Sequence, residues 1–319
     1  MFYLEFSCCF MNYSICVDSI DEIYKKVFMI INEENKKNSD GECEYFFRGQ
    51  SKIYEYEDFF IKGNTFLPTI FRQNMYLKNE HEIFHDCINK YPDILKYDLP
   101  TFEILSKMRH YSLPTRLLDV SSNLNVAMSF ASFSEFKHNN DSNDGCVFVF
   151  KIKKEKIKYS SSDTIIALSN LAKLEPEKCC ISDLGYLVHE IQKERPGFSI
   201  SDPKISNKLQ NDIKKVWCVK SAINNPRIFI QEGSFLIFGT EDMKSKKANF
   251  IVPSFDFSGN NFHNNNSNTD GIKVVGCIKL TSGLKSKIRE YSKYLGVSFE
   301  RLYPDFQTFH QYGLEKYKK

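Results

Sequence analysis

The stretch Tyr45-Phe46-Phe47-Arg48-Gly49-Gln50 places an arginine and a glycine directly after an apolar run. The consecutive aromatic residues predict a short buried strand that delivers Arg48 to its end. Gly49 would permit a tight exit from that strand, because glycine adopts backbone conformations closed to other residues. A guanidinium there offers a planar fork that binds phosphate through paired hydrogen bonds. The same arginine could instead belong to a structural ion pair.

A second motif spans residues 110–119, His-Tyr-Ser-Leu-Pro-Thr-Arg-Leu-Leu-Asp. His110 and Tyr111 precede a proline, so we expect them on an irregular segment, where they could stack on and hydrogen-bond a ring-bearing ligand. A histidine satisfied within the core is the alternative. Arg116 raises the same question as Arg48, with Asp119 as a local partner for a structural pair.

A third motif spans residues 231–235, Gln-Glu-Gly-Ser-Phe. The run Ile228–Gln231 predicts a strand that carries this motif. Successive side chains in a strand point to opposite faces, so only one of Gln231 and Glu232 could face a cleft.

Composition predicts a packed globular protein, since 42% of the 319 residues are hydrophobic and 14% are aromatic. The 43 basic and 40 acidic residues leave a formal charge of +3. Dedicated nucleic-acid binders usually carry a concentrated basic face. Net charge therefore does not indicate a nucleic-acid partner, although a local basic groove could still bind one.

Ten cysteines are present, and none forms a C-x-x-C pair. This spacing excludes zinc-ribbon and dithiol redox motifs and makes the cytosol the natural compartment. The apolar N-terminus carries Glu5 and lacks the basic start of a signal peptide. No window reaches the 18 or so apolar residues of a membrane helix. We therefore expect a soluble, cytoplasmic protein with no membrane partner.

Residues 81–85, His-Glu-Ile-Phe-His, match the H-E-x-x-H pattern of zinc-dependent hydrolases. The predicted helix would leave both histidines on its polar flank, and the third ligand would have to be Glu103 or a more remote residue. We interpret the match as a surface helix and predict that the protein needs no metal.

The predicted fold is α+β, with a mixed or antiparallel core sheet. We expect a single domain over 1–319: a core at about 40–153 and 216–280, a helical insertion at about 154–215 and a helical tail at about 281–319. Helical periodicity predicts helices over 20–32, 79–91 and 101–110, and one capped by Ser122. Strands are predicted at 45–47, 146–150, 217–219, 228–231, 235–238, 249–252 and 274–280.

The three motifs, with Ala127-Met128-Ser129-Phe130-Ala131 and Leu302-Tyr303-Pro304-Asp305, resemble the FRG-domain family, which is named for its Phe-Arg-Gly motif. The resemblance spans roughly residues 40 to 310. Their order also resembles ADP-ribosyltransferases: an arginine borne on a strand, a serine-rich strand before an Ala- and Phe-containing helix, and a later glutamate.

That second resemblance implies an ADP-ribosyltransferase-like fold, NAD as a substrate and an unidentified macromolecular acceptor. Cleavage of the nicotinamide–ribose bond passes through an oxocarbenium-like transition state, which a nearby carboxylate stabilises. The implied catalytic residues are His110, Gln231 and Glu232. The implied NAD-binding residues are Arg48, Gly49, Tyr111, Thr115, Arg116, Asp119 and Ser121.

Two other functions fit the same residues. One is a non-catalytic module that senses a nucleotide or another phosphate ligand. The other is a structural or partner-binding protein, in which Arg48, Arg116 and Asp119 form a buried ion-pair network. A carboxylate facing a cleft near Arg48 would favour the enzyme, whereas full burial of Arg48 beside acidic partners would favour the structural protein.

Overall fold

The computed structural model describes residues 14–37, 41–52, 66–133, 143–179, 183–221, 226–240 and 271–304. The predicted strand at 249–252 and the end of the predicted helical tail lie outside these residues. The strands within these ranges are β1 (Ser14–Val17), β2 (Cys43–Gln50), β3 (Leu117–Ser121), β4 (Gly145–Lys153), β5 (Ile157–Tyr159), β6 (Val216–Lys220), β7 (Gly233–Phe238) and β8 (Ile272–Leu280).

The first six helices are α1 (Ile20–Lys36), α2 (Thr69–Arg72), α3 (Asn74–Lys78), α4 (Glu80–Lys90), α5 (Thr101–His110) and α6 (Leu124–Ser132). The later helices are α7 (Asp163–Asn170), α8 (Gly185–Glu194), α9 (Pro203–Asp212), α10 (Pro226–Ile230), α11 (Ser282–Tyr291) and α12 (Phe299–Leu302). None of these helices combines the length and the apolar character needed to cross a membrane.

All eight described strands form one mixed sheet, in the order β1-β8-β4-β2-β3-β7-β6-β5. Its six central strands pair antiparallel, whereas β1 joins β8 and β5 joins β6 in parallel. The predicted α+β class with a mixed sheet is therefore confirmed.

Helices cover one face of the sheet in two groups. Phe47 of β2 and Ser121 of β3 are paired, so their side chains share this face. Beside β2, the core contains Phe47 and residues of α1, α6 and α11. Beside β3, it contains Leu117 and residues of α4, α5 and α7–α9. The C-terminal half of β3 thus lies at the boundary between the two groups.

Helix α6 approaches the sheet closely because glycines lie beneath it. A Cβ atom on Gly49 would come within 1.9 Å of the Ala127 carbonyl oxygen, and one on Gly145 within 2.5 Å of the Ala131 carbonyl oxygen. Arg48 and Gly49 both lie inside β2, so the predicted strand end is wrong. Gly49 serves close packing of the backbone instead of a tight exit.

The cap predicted for α6 is displaced by one residue. Asn123, not Ser122, is the N-cap, and its side chain accepts a hydrogen bond from the Asn125 amide at 2.9 Å. Ser122 instead contacts Glu232, as described below. Both residue types cap helices well, so the sequence did not distinguish between them.

The strand predicted at 228–231 is wrong, because Pro226–Ile230 forms helix α10. Ile228 and Ile230 contact two different apolar clusters, whereas Phe229 between them is exposed. A short apolar run does not distinguish a strand from a helix, and proline suits the first turn of a helix. Gln231 and Glu232 therefore occupy a turn, and the prediction that they alternate across a strand no longer applies.

Residues 154–215 contain helices α7, α8 and α9, together with one strand that we did not predict. Strand β5 extends the sheet by pairing in parallel with β6, with Ile157 opposite Cys218. The lysines on either side of Ile157 hid the apolar pattern that predicts a strand. The Nζ atoms of Lys156 and Lys158 lie 4.9 and 5.2 Å from the Trp217 ring centre, so the aliphatic parts of both side chains cover apolar surface.

Candidate functional site

Arg48 fills an opening between two neighbouring strands. Strands β2 and β3 pair at one position, Phe47 with Ser121. Strand β3 pairs with β7 at five positions. Arg48 leaves β2 on the face opposite Phe47. Its Nη1 donates a hydrogen bond to the main-chain carbonyl of Asp119 at 2.6 Å, and 13% of its side chain is exposed. The motif arginine therefore bridges the two strands where their pairing stops.

Asp119 places a carboxylate beside Arg48. Its Oδ2 accepts a hydrogen bond from Arg109 Nε at 2.8 Å and forms an ion pair with Arg109 Nη2 at 2.6 Å. Arg48 Nη1 lies 4.0 Å from the same oxygen. Asp119 Oδ1 accepts no hydrogen bond from any residue that the structure describes. Because 40% of the side chain is exposed, Oδ1 remains able to accept a hydrogen bond from a ligand.

The arginines keep Asp119 charged. Burial by itself would raise the pKa of Asp119, but the positive charges of Arg109, Arg48 and Arg227, with the hydrogen bond from Arg109, bring that pKa below its usual value. Burial lowers the pKa of Arg48 to about 10, against the opposing effect of Asp119. Both groups are therefore ionised at neutral pH.

The C-terminus of α5 places polar and aromatic groups beside the Asp119 cluster. His110 is the last residue of α5 and Tyr111 its C-cap, so the prediction of an irregular segment is wrong for His110. The two ring centres lie 4.8 Å apart, and Tyr111 is 45% exposed. The carbonyl of His110 accepts a hydrogen bond from Arg227 Nη1 at 3.1 Å. Arg109 and Arg227, which sequence reasoning missed, thus join Arg48 around Asp119.

Gln231 and Glu232 follow α10 at the same end of β3. The Gln231 carbonyl accepts a hydrogen bond from Ser121 Oγ at 2.7 Å. The Glu232 carboxylate accepts one from Asn123 Nδ2 at 2.8 Å and lies 3.3 Å from Ser122 Oγ. Glu232 is exposed beside the N-terminus of α6, a position that favours a negative charge.

Backbone conformation also marks this region. Among the residues that the structure describes, the non-glycine residues with positive φ are Ser112, at 59°, and Glu232, at 44°. One adjoins Tyr111 and the other adjoins Gln231. Side chains other than glycine adopt this conformation at an energetic cost, and such residues concentrate at functional sites.

Residues 43–140 match the family model of the FRG domain. The matched segment covers 98 of the 319 residues. Neither the search of curated proteins nor the search of solved structures gave a match. The matched residues of the FRG domain include Arg48, Arg109, His110 and Asp119, whereas Arg227, Gln231 and Glu232 follow it in sequence.

Each residue of the motif that names the FRG domain has a distinct structural role. Phe47 packs into the apolar core beneath α1 and α6. Arg48 bridges to the main chain of β3. Gly49 provides the space that the backbone of α6 occupies. The motif therefore fixes the position of Asp119 relative to a helix and a neighbouring strand.

Two residues expected at the site lie elsewhere in the FRG domain. Thr115 is buried before β3, and Arg116, 3% exposed, forms an ion pair with both carboxylate oxygens of Glu80 and also donates to the Phe238 carbonyl at 3.0 Å. The predicted pairing of Arg116 with Asp119 is wrong. Arg116 lies just before β3, and its guanidinium is committed to Glu80 of α4 instead.

The histidines of the H-E-x-x-H pattern lie on α4, and Glu80 beside them is committed to Arg116. Within the described residues no three His, Cys, Asp or Glu side chains are grouped so that they could hold a metal ion. That the protein works without a metal remains a prediction.

A separate groove of about 910 Å³ lies among α4, α5 and α8 and does not include the Asp119 cluster. Glu194 on its wall accepts hydrogen bonds from Thr101 and from Asn170 Nδ2, the latter at 2.9 Å. The Glu194 carboxylate thus links α8 to α5 and α7. We therefore place the candidate site at Asp119.

Proposed function

We propose that the cluster around Asp119 binds a nucleotide through its ribose and phosphate groups, with NAD as the first candidate. One observation carries this proposal: an ionised carboxylate inside an arginine cluster has an oxygen, Oδ1, that accepts no bond from the described residues. Oδ1 is solvent-accessible in a side chain that is 40% exposed, so a ligand hydroxyl can replace water there.

The chemistry of the cluster matches the parts of such a ligand. A ribose hydroxyl would donate to Asp119 Oδ1, and the guanidinium groups of Arg109 and Arg227 would bind phosphate oxygens by charge-assisted hydrogen bonds. The half-exposed ring of Tyr111 offers a surface for a base or for nicotinamide. These groups come from separate segments, which supports a binding role over a local structural one.

ADP-ribosyl transfer is the reaction that such a site would support. Loss of nicotinamide leaves positive charge on the ribose, which a carboxylate stabilises. Asp119, held ionised by its arginines, and Glu232, exposed beside α6, are the candidates for that carboxylate. The strand-borne Arg48, the helix α6 and the later Gln231-Glu232 pair follow the order of segments in ADP-ribosyltransferases, and the proposed acceptor is a macromolecule.

Non-catalytic nucleotide sensing is the second candidate, and a particular observation favours it. The side chain of Gln231 donates to the Leu302 carbonyl at 2.8 Å, and the Glu232 carboxylate is bonded to Asn123. Side chains committed in this way favour binding over turnover. Release of nicotinamide from NAD by the purified protein distinguishes the enzyme from the sensor.

Calorimetric titration with NAD and with ADP-ribose tests the proposal. We expect Asp119→Asn to weaken binding about tenfold or more, because a neutral amide replaces a charged acceptor. Asp163→Asn is the matched control, since Asp163 is also an aspartate paired with an arginine, Arg195, but on an exposed surface outside the cluster. Absence of saturable binding to the parent protein, or equal losses in the two variants, would contradict the proposal.

A further inference from the structure

The segment Val297–Pro304, which we call the C-terminal strap, lies against the candidate site. Val297 and Leu302 of the strap are buried and pack with Val126 of α6. The Val297 carbonyl accepts a hydrogen bond from Ser129 Oγ at 2.7 Å. The strap follows the family-matched residues 43–140 by more than a hundred positions in the chain, yet α6 of the FRG domain anchors it.

The strap contacts two residues of the candidate site directly. The Tyr303 ring centre lies 4.0 Å from Arg227 Cζ, a cation–π contact. The carbonyl of Leu302 accepts the hydrogen bond from Gln231 Nε2 at 2.8 Å. Leu302 and Tyr303 of the strap thus contact Gln231 and Arg227, which lie at the two ends of the segment 227–231.

Neighbouring rings fix the position of Tyr303. Phe299 stacks on it with ring centres 4.5 Å apart and planes 27° apart, and Phe130 of α6 meets it edge-on at 5.9 Å. Phe299, Tyr303 and the Arg227 guanidinium therefore form a column. Beyond the column, Arg227 bonds to the His110 carbonyl. Contacts run continuously from the strap to the C-terminus of α5.

We propose that Tyr303 is a positioning residue, which holds the guanidinium of Arg227 in the orientation that receives a ligand phosphate. That Arg227 binds a ligand phosphate rests on the proposed function. An arginine held in place before binding loses less side-chain entropy when the ligand arrives, and its affinity rises accordingly. The strap outside the matched region would then complete the binding site of the FRG domain.

The test compares Tyr303→Leu with Tyr303→Phe. Leucine keeps apolar bulk but removes the aromatic face, whereas phenylalanine keeps that face. Tyr294→Leu is the matched control, because Tyr294 also lies near a cation, with Lys293 Nζ at 4.8 Å, but is 75% exposed. We expect Tyr303→Leu to weaken ADP-ribose binding about tenfold, with Tyr303→Phe restoring most of the affinity and Tyr294→Leu binding as the parent does.

A second readout does not depend on any ligand. The Nε–H resonance of Arg227, assigned by its loss in Arg227→Lys, reports the mobility of the guanidinium. We expect restricted motion of the guanidinium in the parent and in Tyr303→Phe, and increased motion in Tyr303→Leu, where the bond to the His110 carbonyl remains but the aromatic face is lost. If the parent does not bind ADP-ribose, the proposed function fails while this readout still tests the contact. Unchanged mobility in Tyr303→Leu would overturn the positioning role, as would a Tyr303→Leu protein that binds ADP-ribose with parental affinity.

Discussion

Arg48 and Asp119 meet through a side chain and a main-chain carbonyl, with Nη1 of Arg48 2.6 Å from the Asp119 oxygen. The contact replaces the strand pairing that β2 and β3 lack beyond Phe47 and Ser121. The same arginine lies 4.0 Å from the Asp119 carboxylate. Arg48 therefore supports the sheet and the proposed site together, and its substitution should affect both.

We expect Arg48→Ala to lower the free energy of unfolding by about 1–3 kcal/mol, because the Asp119 carbonyl would lose its donor. Arg48→Lys should lose less, since it keeps a charged donor. Urea unfolding measures both. Arg289→Ala is the control: Arg289 Nη1 also donates to a main-chain carbonyl, that of Ser132, at 2.6 Å. The control should lose stability without losing ligand affinity. Parental stability in Arg48→Ala would contradict this account.

Gly49→Ala should prevent folding or reduce stability by more than about 3 kcal/mol, because the new Cβ would lie 1.9 Å from the Ala127 carbonyl oxygen. Gly283→Ala is the matched control, since nothing lies within 4 Å of its Cβ position near the start of α11. That substitution should stabilise the helix slightly. Thermal unfolding of the two variants decides the prediction, and equal melting temperatures would refute it.

Asp119 should make stability depend on pH. Its pKa is lower in the folded protein than in the unfolded chain, so the unfolded chain takes up the proton first as pH falls. The stabilisation is complete above about pH 4 and is lost as pH falls through the lower pKa of the folded state. Asp119→Asn should remove this dependence. Urea unfolding of both proteins between neutral and acidic pH measures it; parallel pH profiles would argue against an ionised Asp119.

Glu80→Gln should cost about 3–5 kcal/mol of stability, because it leaves the buried guanidinium of Arg116 without a compensating charge. Replacing both residues with apolar side chains, Glu80→Leu with Arg116→Met, should cost less than the two single changes together. Asp163→Asn, which breaks an exposed pair with Arg195, should change stability by about 1 kcal/mol or less. A cost for Glu80→Gln no larger than that of the control would refute the prediction.

The elements best predicted from the sequence are the amphipathic helices. The helices predicted over 20–32, 79–91 and 101–110 are confirmed as Ile20–Lys36, Glu80–Lys90 and Thr101–His110, because each is long enough to show its period. The run Ile228–Gln231 is too short for that, and a helix replaced the predicted strand.

Parts of the candidate site could be predicted only as separate motifs. Arg48, His110 and Asp119 stood out because each occurs beside an element boundary or in a distinctive run. The acidic partner of Arg116 could not be assigned correctly, since Glu80 is 36 residues away and meets it only through the packing of α4 on the sheet. Arg227 and Tyr303 likewise come together through tertiary structure alone.

The pairing of β1 with β8 has a consequence for the order of events during synthesis. Val17 lies opposite Leu280, so the first described strand finds its partner only after about 260 further residues have left the ribosome. Helix α1 packs on β8, so α1 also cannot dock until β8 has been synthesised. Closing so long a loop is entropically slow, and the emerging N-terminal segment exposes apolar side chains meanwhile. The central strands can pair first, so among the described strands β1 is the last that can join the sheet.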